Sequence, residues 1–222
     1  MDHLTPDPEK VLLIDKPLRW TSFDVVKKLK YHFKLKKIGH AGTLDPLATG
    51  LLILCTGKKT KEIDQYMARE KEYTGSFYLG QSTPSHDLET EVDQEWDISG
   101  ITPERIIAAT DAFTGTIRQT PPAHSAIKVK GKRAYEHARK GETLVLKERE
   151  VTIDLFEVIP DLPEIKFRVI CSKGTYIRSL ARDFGQYLGV GAYLSSLRRT
   201  RIGEFTIENA LTLEEILENE NL

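Results

Sequence analysis

The sequence is poor in cysteine and has no long apolar run. Its two cysteines, Cys55 and Cys171, stand far apart and form no C-x-x-C pair. This argues against a disulfide framework and a structural zinc site, and it favours a reducing compartment. No apolar stretch approaches transmembrane length, and the acidic first nine residues, with Asp2, Asp7 and Glu9, do not resemble a signal peptide. We therefore expect a cytoplasmic protein with no membrane partner.

The sequence has almost no net charge, but its charges are unevenly distributed. The formal net charge is −1, with 40% hydrophobic and 29% charged residues, which is ordinary for a globular protein. Basic residues concentrate in three segments, at Lys16 to Lys37, Lys128 to Arg149 and Arg198 to Arg201. Such blocks are compatible with phosphate binding on one face, and equally with solvated helix surfaces. Charge alone does not separate these two interpretations.

Hydrophobic periodicity predicts interleaved strands and helices without a regular βαβ rhythm. The sequence therefore predicts a mixed α+β sheet protein, with no internal repeat. Strands are expected at Lys10 to Asp15, Leu51 to Cys55, Glu72 to Leu79, Val151 to Ile159 and Ile165 to Cys171. Helices are expected from an N-cap at Ser22 to Phe33, from Thr102 to near Gly115, over Tyr176 to Leu188, and after a capping box at Thr212 and Glu215. A loop is expected over Gly39 to Gly50, and a long polar connection over Ser82 to Gly100.

The segment from Gly39 to Gly50 has the densest chemical signal. It reads Gly-His-Ala-Gly-Thr-Leu-Asp-Pro-Leu-Ala-Thr-Gly, with one carboxylate, Asp45, at its centre. Because Pro46 follows, Asp45 is held away from helical backbone angles, which restricts where its carboxylate can point. The spacing of a phosphate-binding P-loop is absent. From the residues alone, an Asp that forms a turn is the favoured alternative.

Several segments together resemble the TruB-type tRNA pseudouridine synthases, the family that modifies uridine 55 in the T loop of transfer RNA. The loop around Asp45 is similar to the signature loop of that family. The other matching segments follow in family order across nearly the whole chain: Lys16-Pro17, Lys71-Glu72-Tyr73, Gln119-Thr120-Pro121-Pro122 with Ser125-Ala126 and Lys128, Lys173 to Leu180, and Leu197-Arg198-Arg199-Thr200. Ordered agreement of this kind makes the turn-only interpretation of Asp45 remote.

The resemblance implies a pseudouridine synthase fold with a mixed, largely antiparallel central sheet and flanking helices. It implies a single catalytic domain over 1–222, with a basic RNA-gripping insertion at about 119–149. Many longer members continue into a small C-terminal RNA-binding domain, which we expect to be absent here. The reaction requires neither a cofactor nor a metal, and we expect none.

The resemblance also implies the catalytic residues. Asp45 would act at the ribose, either by attack on C1′ or by removal of the 2′ proton, and these two roles stay open. Arg178 would be the guanidinium that keeps Asp45 charged, since an opposite charge at close range favours the ionised form. Tyr73 would stack on the flipped uracil and take part in proton removal at C5.

Further residues of the family pattern are expected to bind the substrate. His40 would fill the stack vacated by the flipped base, and Lys16 would brace the site. Tyr176 and Leu197 would form apolar walls of the pocket. In the insertion, Lys128, Lys130 and Lys132 would grip phosphates of the T stem-loop, with a short helical piece near Tyr135 to Arg139. Asp87 is either an RNA contact or a plain loop acid. A monomer is expected.

Three alternatives remain beside tRNA pseudouridine synthesis. The first is the same chemistry on another structured RNA. The second is a non-catalytic RNA-binding or RNA-folding protein on the same scaffold, although loss of Asp45 or Arg178 would be its expected mark. The third, an unrelated metabolic enzyme, would need a cofactor fingerprint that the sequence lacks.

Overall fold

The computed structural model describes residues 8–123, 125, 128–129, 132–134 and 146–219. Its α-helices are α1 Ser22–His32, α2 Ile63–Ala68, α3 Pro103–Ala109, α4 Ile177–Tyr187 and α5 Leu213–Glu218. Three 3-10 turns cover Gly57–Glu62, Thr110–Phe113 and Ile207–Asn209. None of the helices in the described ranges is long and apolar enough to cross a membrane.

Fourteen strands are assigned within the described part of the chain. They are β1 Val11–Lys16, β2 Ile38–His40, β3 Ala48–Thr56, β4 Lys71–Leu79, β5 Gln81–Ser82, β6 Gln94–Glu95, β7 Gly115–Gln119, β8 Lys128–Val129, β9 Lys132–Arg133, β10 Arg149–Asp161, β11 Glu164–Cys171, β12 Ala192–Ile202, β13 Phe205–Thr206 and β14 Leu211–Thr212. The chain divides into two compact units, residues 1–73 with 197–222, and residues 74–196. Strands β4 and β12 each contribute residues to both units.

The first unit has a sheet of order β14-β1-β3-β12, with β2 on β3 and β13 on β12. Strand β1 pairs antiparallel with β3 over six residue pairs and parallel with β14. Strand β12 runs parallel to β3, with Leu197 opposite Ala48 and Arg199 opposite Gly50. Since Ala48 comes three residues after Asp45, this pairing fixes the end of the predicted catalytic loop.

Helix α1 covers this sheet with an apolar stripe. Val25, Val26 and Leu29 recur at helical spacing and are buried with Ile14 and Leu52 in one core cluster. Burying such a side chain contributes about 1.5–3 kcal/mol. The helix therefore packs on this sheet through its apolar side.

The second unit has a sheet of order β12-β4-β11-β10-β7, in which β10 pairs antiparallel with both β11 and β7. Its core is rich in phenylalanine. Phe77 stacks on Phe167 with ring centroids 4.4 Å apart, and Phe184 of α4 meets Phe156 edge-on at 5.3 Å. Aromatic pairs of this geometry contribute about 0.5–1.5 kcal/mol beyond their buried area. The mixed, largely antiparallel sheet with flanking helices is thus confirmed, whereas the single catalytic domain over 1–222 stays a prediction.

The structure corrects several predicted boundaries. Thr21, not Ser22, is the N-cap of α1: its Oγ1 accepts from the Asp24 N–H at 3.0 Å, and the Asp24 carboxylate accepts from the Thr21 N–H at 2.9 Å. The predicted loop Gly39 to Gly50 begins and ends in strands, because the backbone at both ends pairs with a sheet neighbour. The polar connection after Ser82 contains the short hairpin β5–β6.

The remaining helices and strands are of the type that the sequence predicts. The caps at Thr102 and Thr212 are confirmed by hydrogen bonds from Arg105 and Glu215. Strand β10 is longer at both ends than the predicted Val151 to Ile159, because its ends pair with β7 and β11. The helical piece expected near Tyr135 to Arg139 lies outside the described residues.

Candidate active site

Asp45 lies at the centre of a short loop between β2 and β3, in the first unit. The residue is half-buried, and its carbonyl oxygen accepts from the Ala48 N–H at 3.0 Å. Since β3 begins at Ala48, Asp45 lies on backbone that is anchored to an inner strand of the sheet. This is the arrangement expected of a functional side chain carried on a rigid scaffold.

A side-chain hydroxyl and a backbone N–H from outside the Asp45 loop hold its backbone. The Ser22 hydroxyl accepts from the Leu44 N–H at 2.9 Å and donates to the Leu44 carbonyl at 3.2 Å. The Arg19 N–H donates to the Pro46 carbonyl at 2.7 Å. The backbone on both sides of Asp45 is therefore fixed by hydrogen bonds, which limits the positions of its carboxylate.

Arg199 binds the backbone both before and after Asp45. Its guanidinium is buried and donates to the carbonyl oxygens of Leu51, at 2.8 Å, and Gly42, at 3.1 Å. Gly42 and Gly50 both have φ of 100°, a region that side chains rarely adopt. A Cβ at Gly50 would also overlap the backbone of Arg199, so this position requires glycine.

Lys16 is fully buried and places a cation near Asp45. Its ammonium donates to the carbonyl oxygens of Pro17, at 2.9 Å, and Trp20, at 2.6 Å. Burial lowers the pKa of Lys16 to about 8, and the Asp45 charge opposes that shift while the Arg199 charge adds to it. The two oppositely charged groups therefore stabilise each other's ionised forms. The predicted bracing role of Lys16 is consistent with these contacts and stays a prediction.

His40 is a strand residue at the start of the same loop. It pairs with Leu54 across β2 and β3, and its Nδ1 is buried without a hydrogen-bonding partner among the described residues. Burial and the Arg199 charge lower the pKa of His40, against the effect of a backbone hydrogen bond with Gly42. The imidazole is therefore neutral at pH 7.

Tyr73 and Leu197 also belong to the first unit. Tyr73 is buried on β4. Leu197 is half-buried on β12, and its carbonyl accepts from Thr49 Oγ1 at 3.5 Å, four residues after Asp45. Five of the predicted site residues (Asp45, Lys16, His40, Tyr73 and Leu197) thus lie in one compact unit.

Arg178 lies on α4 in the second unit and is buried there. Its Nη1 lies 3.6 Å from Asp87 Oδ2 and donates to the Ser85 carbonyl at 3.4 Å. Asp87 is itself buried, with 7% of its side chain exposed. The Asp87 carboxylate is therefore held against a buried guanidinium, and its two interpretations, an RNA contact and a plain loop acid, both stay predictions.

Tyr176 is the N-cap residue of α4, and both its backbone N–H and its carbonyl are hydrogen-bonded. The Gln119 side-chain amide donates to the Tyr176 carbonyl at 3.1 Å and accepts from its N–H at 2.8 Å. The Arg149 guanidinium lies 4.5 Å from the centre of the Tyr176 ring, in cation–π geometry. A fixed ring of this kind can serve as a wall or as a stacking surface.

The insertion at about 119–149 is described in part. Lys128 and Lys132 belong to the two strands of a small antiparallel hairpin, β8–β9. Lys130 lies outside the described residues. The phosphate-gripping role of these three lysines stays a prediction.

Three residues that hold proposed site residues were not predicted to do so from the sequence: Ser22 and Arg199 in the first unit, and Gln119 in the second. Ser22 resembles a helix cap, and Arg199 resembles one more basic residue beside Arg198 and Arg201. Arg199 and Gln119 do lie inside segments that resemble the family motifs, and that position was the available signal. Within the described ranges, no three His, Cys, Asp or Glu residues cluster closely enough to hold a metal ion.

The sequence matches a known protein family. Residues 30–177 match the family described as TruB family pseudouridylate synthase (N terminal domain). The chain belongs to the TruB family. Residues 178–221 match a second family domain, described as tRNA pseudouridylate synthase B C-terminal domain.

Curated TruB proteins are similar along nearly their whole length. The tRNA pseudouridine synthase B of Flavobacterium johnsoniae is 54% identical over 212 residues, which cover 92% of this chain and 93% of that protein. The tRNA pseudouridine synthase B of Chloroherpeton thalassium is 51% identical over 227 residues, covering 98% of this chain and 94% of that protein.

A solved structure also shares the fold. The structure described as "Crystal Structure of a Cbf5-Nop10-Gar1 Complex" matches with a TM-score of 0.73 and 32% identity, and it covers 94% of this chain. The chain spans 53% of the length of that neighbour.

Proposed function

We propose that this TruB protein isomerises uridine to pseudouridine at position 55 in the T loop of tRNA, with Asp45 as the catalytic carboxylate. One observation carries the assignment of Asp45: the loop on which it lies is hydrogen-bonded on both sides, and a buried ammonium interacts with its charge. The tRNA substrate is supported by the names of the curated TruB relatives.

The reaction is an isomerisation. The bond between N1 of uracil and C1′ of the ribose breaks, the base rotates, and a new bond forms between C5 and C1′. The proton on C5 leaves and N1 regains a proton, so atoms and electrons balance without an oxidant or a phosphate donor. The chemistry therefore asks the protein for an ionised carboxylate, an acid–base group and a water-poor pocket.

Asp45 acts at the ribose in this proposal, by attack on C1′ or by removal of the 2′ proton. Either step needs the carboxylate to be ionised, and the positive charge of Lys16 favours that form. Arg178 is proposed, from the family pattern, as the guanidinium that supports the same charge. The fixed backbone around Asp45 supplies the positional accuracy that such steps require.

The target nucleotide must leave the RNA stack before the ribose can be reached. His40 is proposed to fill the vacated place in the stack; a neutral ring suits that role because it carries no charge into a stack of bases. Tyr73 is proposed to stack on the flipped uracil and to accept or relay the C5 proton. Tyr176 and Leu197 are proposed as the walls of the pocket.

The insertion is proposed to grip phosphates of the T stem-loop through Lys128, Lys130 and Lys132, without reading bases. We further propose that the protein acts in the cytoplasm as a monomer, without a metal or a cofactor. Buried cysteines support a reducing compartment, since Cys55 and Cys171 are both free thiols.

Mapping the product on a whole tRNA tests the position. An unmodified tRNA transcript is incubated with the protein, and pseudouridine is located by carbodiimide labelling and primer extension. We expect a single new stop reporting position 55, and no stop when uridine 55 is replaced by cytidine. A stop elsewhere would assign another target, and RNA binding without any stop would favour the non-catalytic RNA-binding protein.

A further inference from the structure

The first unit has a surface groove that none of the proposed catalytic residues lines. The groove has a volume of about 620 Å³. It begins in the segment before helix α1 and runs along that helix. Arg19 and Trp20 form one end, and the lining continues along the helix through Asp24, Lys27, Lys28, Tyr31 and His32. We refer to these seven residues as the α1 groove.

The helical part of the groove is a continuous stripe. Asp24, Lys27, Lys28 and Tyr31 stand at helix positions i, i+3, i+4 and i+7, which share one face. At a rise of 1.5 Å per residue, the stripe extends for about 12 Å from Asp24 to His32, the residue after Tyr31. That length accommodates a few phosphates of one strand, at roughly 3.4 Å of rise each.

The charge of the groove is positive. Arg19, Lys27 and Lys28 contribute three positive charges and Asp24 one negative charge, so these four side chains have a net charge of +2. The Asp24 carboxylate is already engaged by the Thr21 N–H at 2.9 Å in the capping box. Asp24 still interacts with the charge of Lys27, but the excess of cations over this one carboxylate leaves the groove positive for an anionic partner.

The groove also exposes aromatic surface. Tyr31 is 72% exposed, which is unusual for a side chain with so large an apolar ring, and Trp20 is half-buried at the other end. Cations interleaved with exposed rings are the pattern by which proteins hold single-stranded nucleic acid, since bases stack on the rings and lysines follow the phosphates.

The groove is joined directly to the Asp45 loop. The Arg19 backbone, which has the uncommon φ of 67°, donates its N–H to the carbonyl of Pro46 at 2.7 Å. The Trp20 carbonyl accepts from the Lys16 ammonium at 2.6 Å. One end of the groove is therefore hydrogen-bonded to Pro46, the residue that directly follows Asp45 in the chain.

We propose that the α1 groove binds the sugar–phosphate strand of the substrate RNA. The bound stretch lies directly beside the target nucleotide, which is placed at Asp45. Lys27 and Lys28 contact phosphates, Arg19 holds the phosphate closest to the site, and the Tyr31 ring stacks on a base. This inference rests on the proposed function for the identity of the RNA, and it adds a second binding surface to the one predicted for the insertion.

The salt dependence of binding tests the phosphate contacts. We compare the wild-type chain, the variant Lys27→Gln/Lys28→Gln, and the matched control Lys30→Gln/Lys34→Gln, which removes two exposed lysines that do not line the groove. The probe is a fluorescently labelled T-arm stem-loop, titrated at several salt concentrations. Each lost phosphate contact lowers the slope of log K against log salt by about 0.7 to 0.9.

The groove variant is expected to lower that slope by about 1.5 and to raise KM with little change in kcat, since the contacts act in binding alone. The control is expected to change the slope by less than about half a unit. An unchanged slope in the groove variant, or an equal decrease in both, would overturn the proposal. A decrease in kcat without a change in slope would also overturn it.

Tyr31 tests the stacking contact separately. Tyr31→Ala removes the ring, and we expect roughly tenfold weaker binding or more, whereas Tyr31→Phe keeps the ring and should bind like the wild type. Equal binding by the Ala and Phe variants would exclude the stacking role. These arms measure binding, so they are independent of turnover: a wild-type chain that binds RNA but forms no pseudouridine would refute the proposed function and leave the groove comparison intact.

Discussion

The Ser22 hydroxyl and the Leu44 peptide exchange two hydrogen bonds, one in each direction, at 2.9 and 3.2 Å. Both groups are buried, and Leu44 directly precedes Asp45. A residue at the start of a helix therefore acts as a positioning residue for the loop that carries the proposed catalytic carboxylate. The relationship leads to a first prediction.

Ser22→Ala is expected to lower the free energy of unfolding by about 1–3 kcal/mol, because the buried Leu44 N–H loses its acceptor. We also expect kcat to fall by about ten- to a hundredfold, since the carboxylate loses its exact position. Urea unfolding and pseudouridine assays measure the two effects. Ser99→Ala, at an exposed serine, is the control and should change stability by less than about 0.5 kcal/mol. Full activity of Ser22→Ala would show that the loop keeps its position without this clamp.

Gly50→Ala is expected to destabilise the chain severely, by about 4 kcal/mol or more. The residue has φ of 100°, and a new Cβ would overlap the Arg199 backbone, with the Arg199 nitrogen 2.7 Å away. Gly100→Ala is the matched control, because a Cβ there meets nothing within 4 Å. Thermal unfolding of the two variants should differ widely. Similar melting temperatures would contradict the close approach of β3 and β12.

His86 makes the second unit sensitive to acid. Burial, together with the charges of Arg182 and Arg178, lowers the pKa of His86 to about 4. The unfolded chain binds this proton near pH 6.5, so the stabilisation is complete above 6.5 and is lost as pH falls through about 4. The loss amounts to on the order of 3 kcal/mol.

The substitution His86→Asn checks this dependence, because asparagine tolerates the φ of 62° at that position. We expect the variant to lose less stability than the wild type between pH 6.5 and 4. Urea unfolding at a series of pH values measures the difference. Parallel curves for the two proteins would remove His86 as the source of the acid sensitivity.

Lys16 predicts a pH dependence at the alkaline end. Its pKa is about 8 in the folded chain against a usual value of 10.5, so between these values the unfolded chain binds more protons. The free energy of unfolding of the wild type should therefore rise with pH in this window, relative to Lys16→Met, by on the order of 3 kcal/mol. If the curves of the two proteins stay parallel from pH 8 to 10.5, burial does not lower the pKa of Lys16.

Much of the fold could be predicted from the sequence, and the proposal for Asp45 starts from a local sequence signal. The Asp45 loop has local signals, namely glycines, a proline and one carboxylate, and apolar alternation identifies the strands and the stripe of α1. The predictions were weakest where backbone pairing between distant segments decides the outcome. The sequence predicts a loop at His40, because no local pattern reveals that Gly39 and His40 pair with Cys55 and Leu54.

The clamps on the site could not be predicted for the same physical reason. Arg198 and Arg199 are chemically identical neighbours, yet Arg198 makes a bidentate ion pair with Asp15 while Arg199 is buried and binds two carbonyl oxygens. Alternation along a strand predicts opposite faces for the two residues. It does not say which face is buried, and a charged residue is expected to be exposed.

Tritium release measures the central claim most directly. A T-arm stem-loop labelled with tritium at C5 of uridine is incubated with the wild-type chain and with Asp45→Asn, because C5 loses its hydrogen when it bonds to C1′. We predict that the wild type releases tritium and that Asp45→Asn binds the RNA equally well but releases none. Release by Asp45→Asn at the wild-type rate would contradict the assignment of the carboxylate, and a wild type that binds stem-loop and whole tRNA without release would contradict pseudouridine synthesis itself.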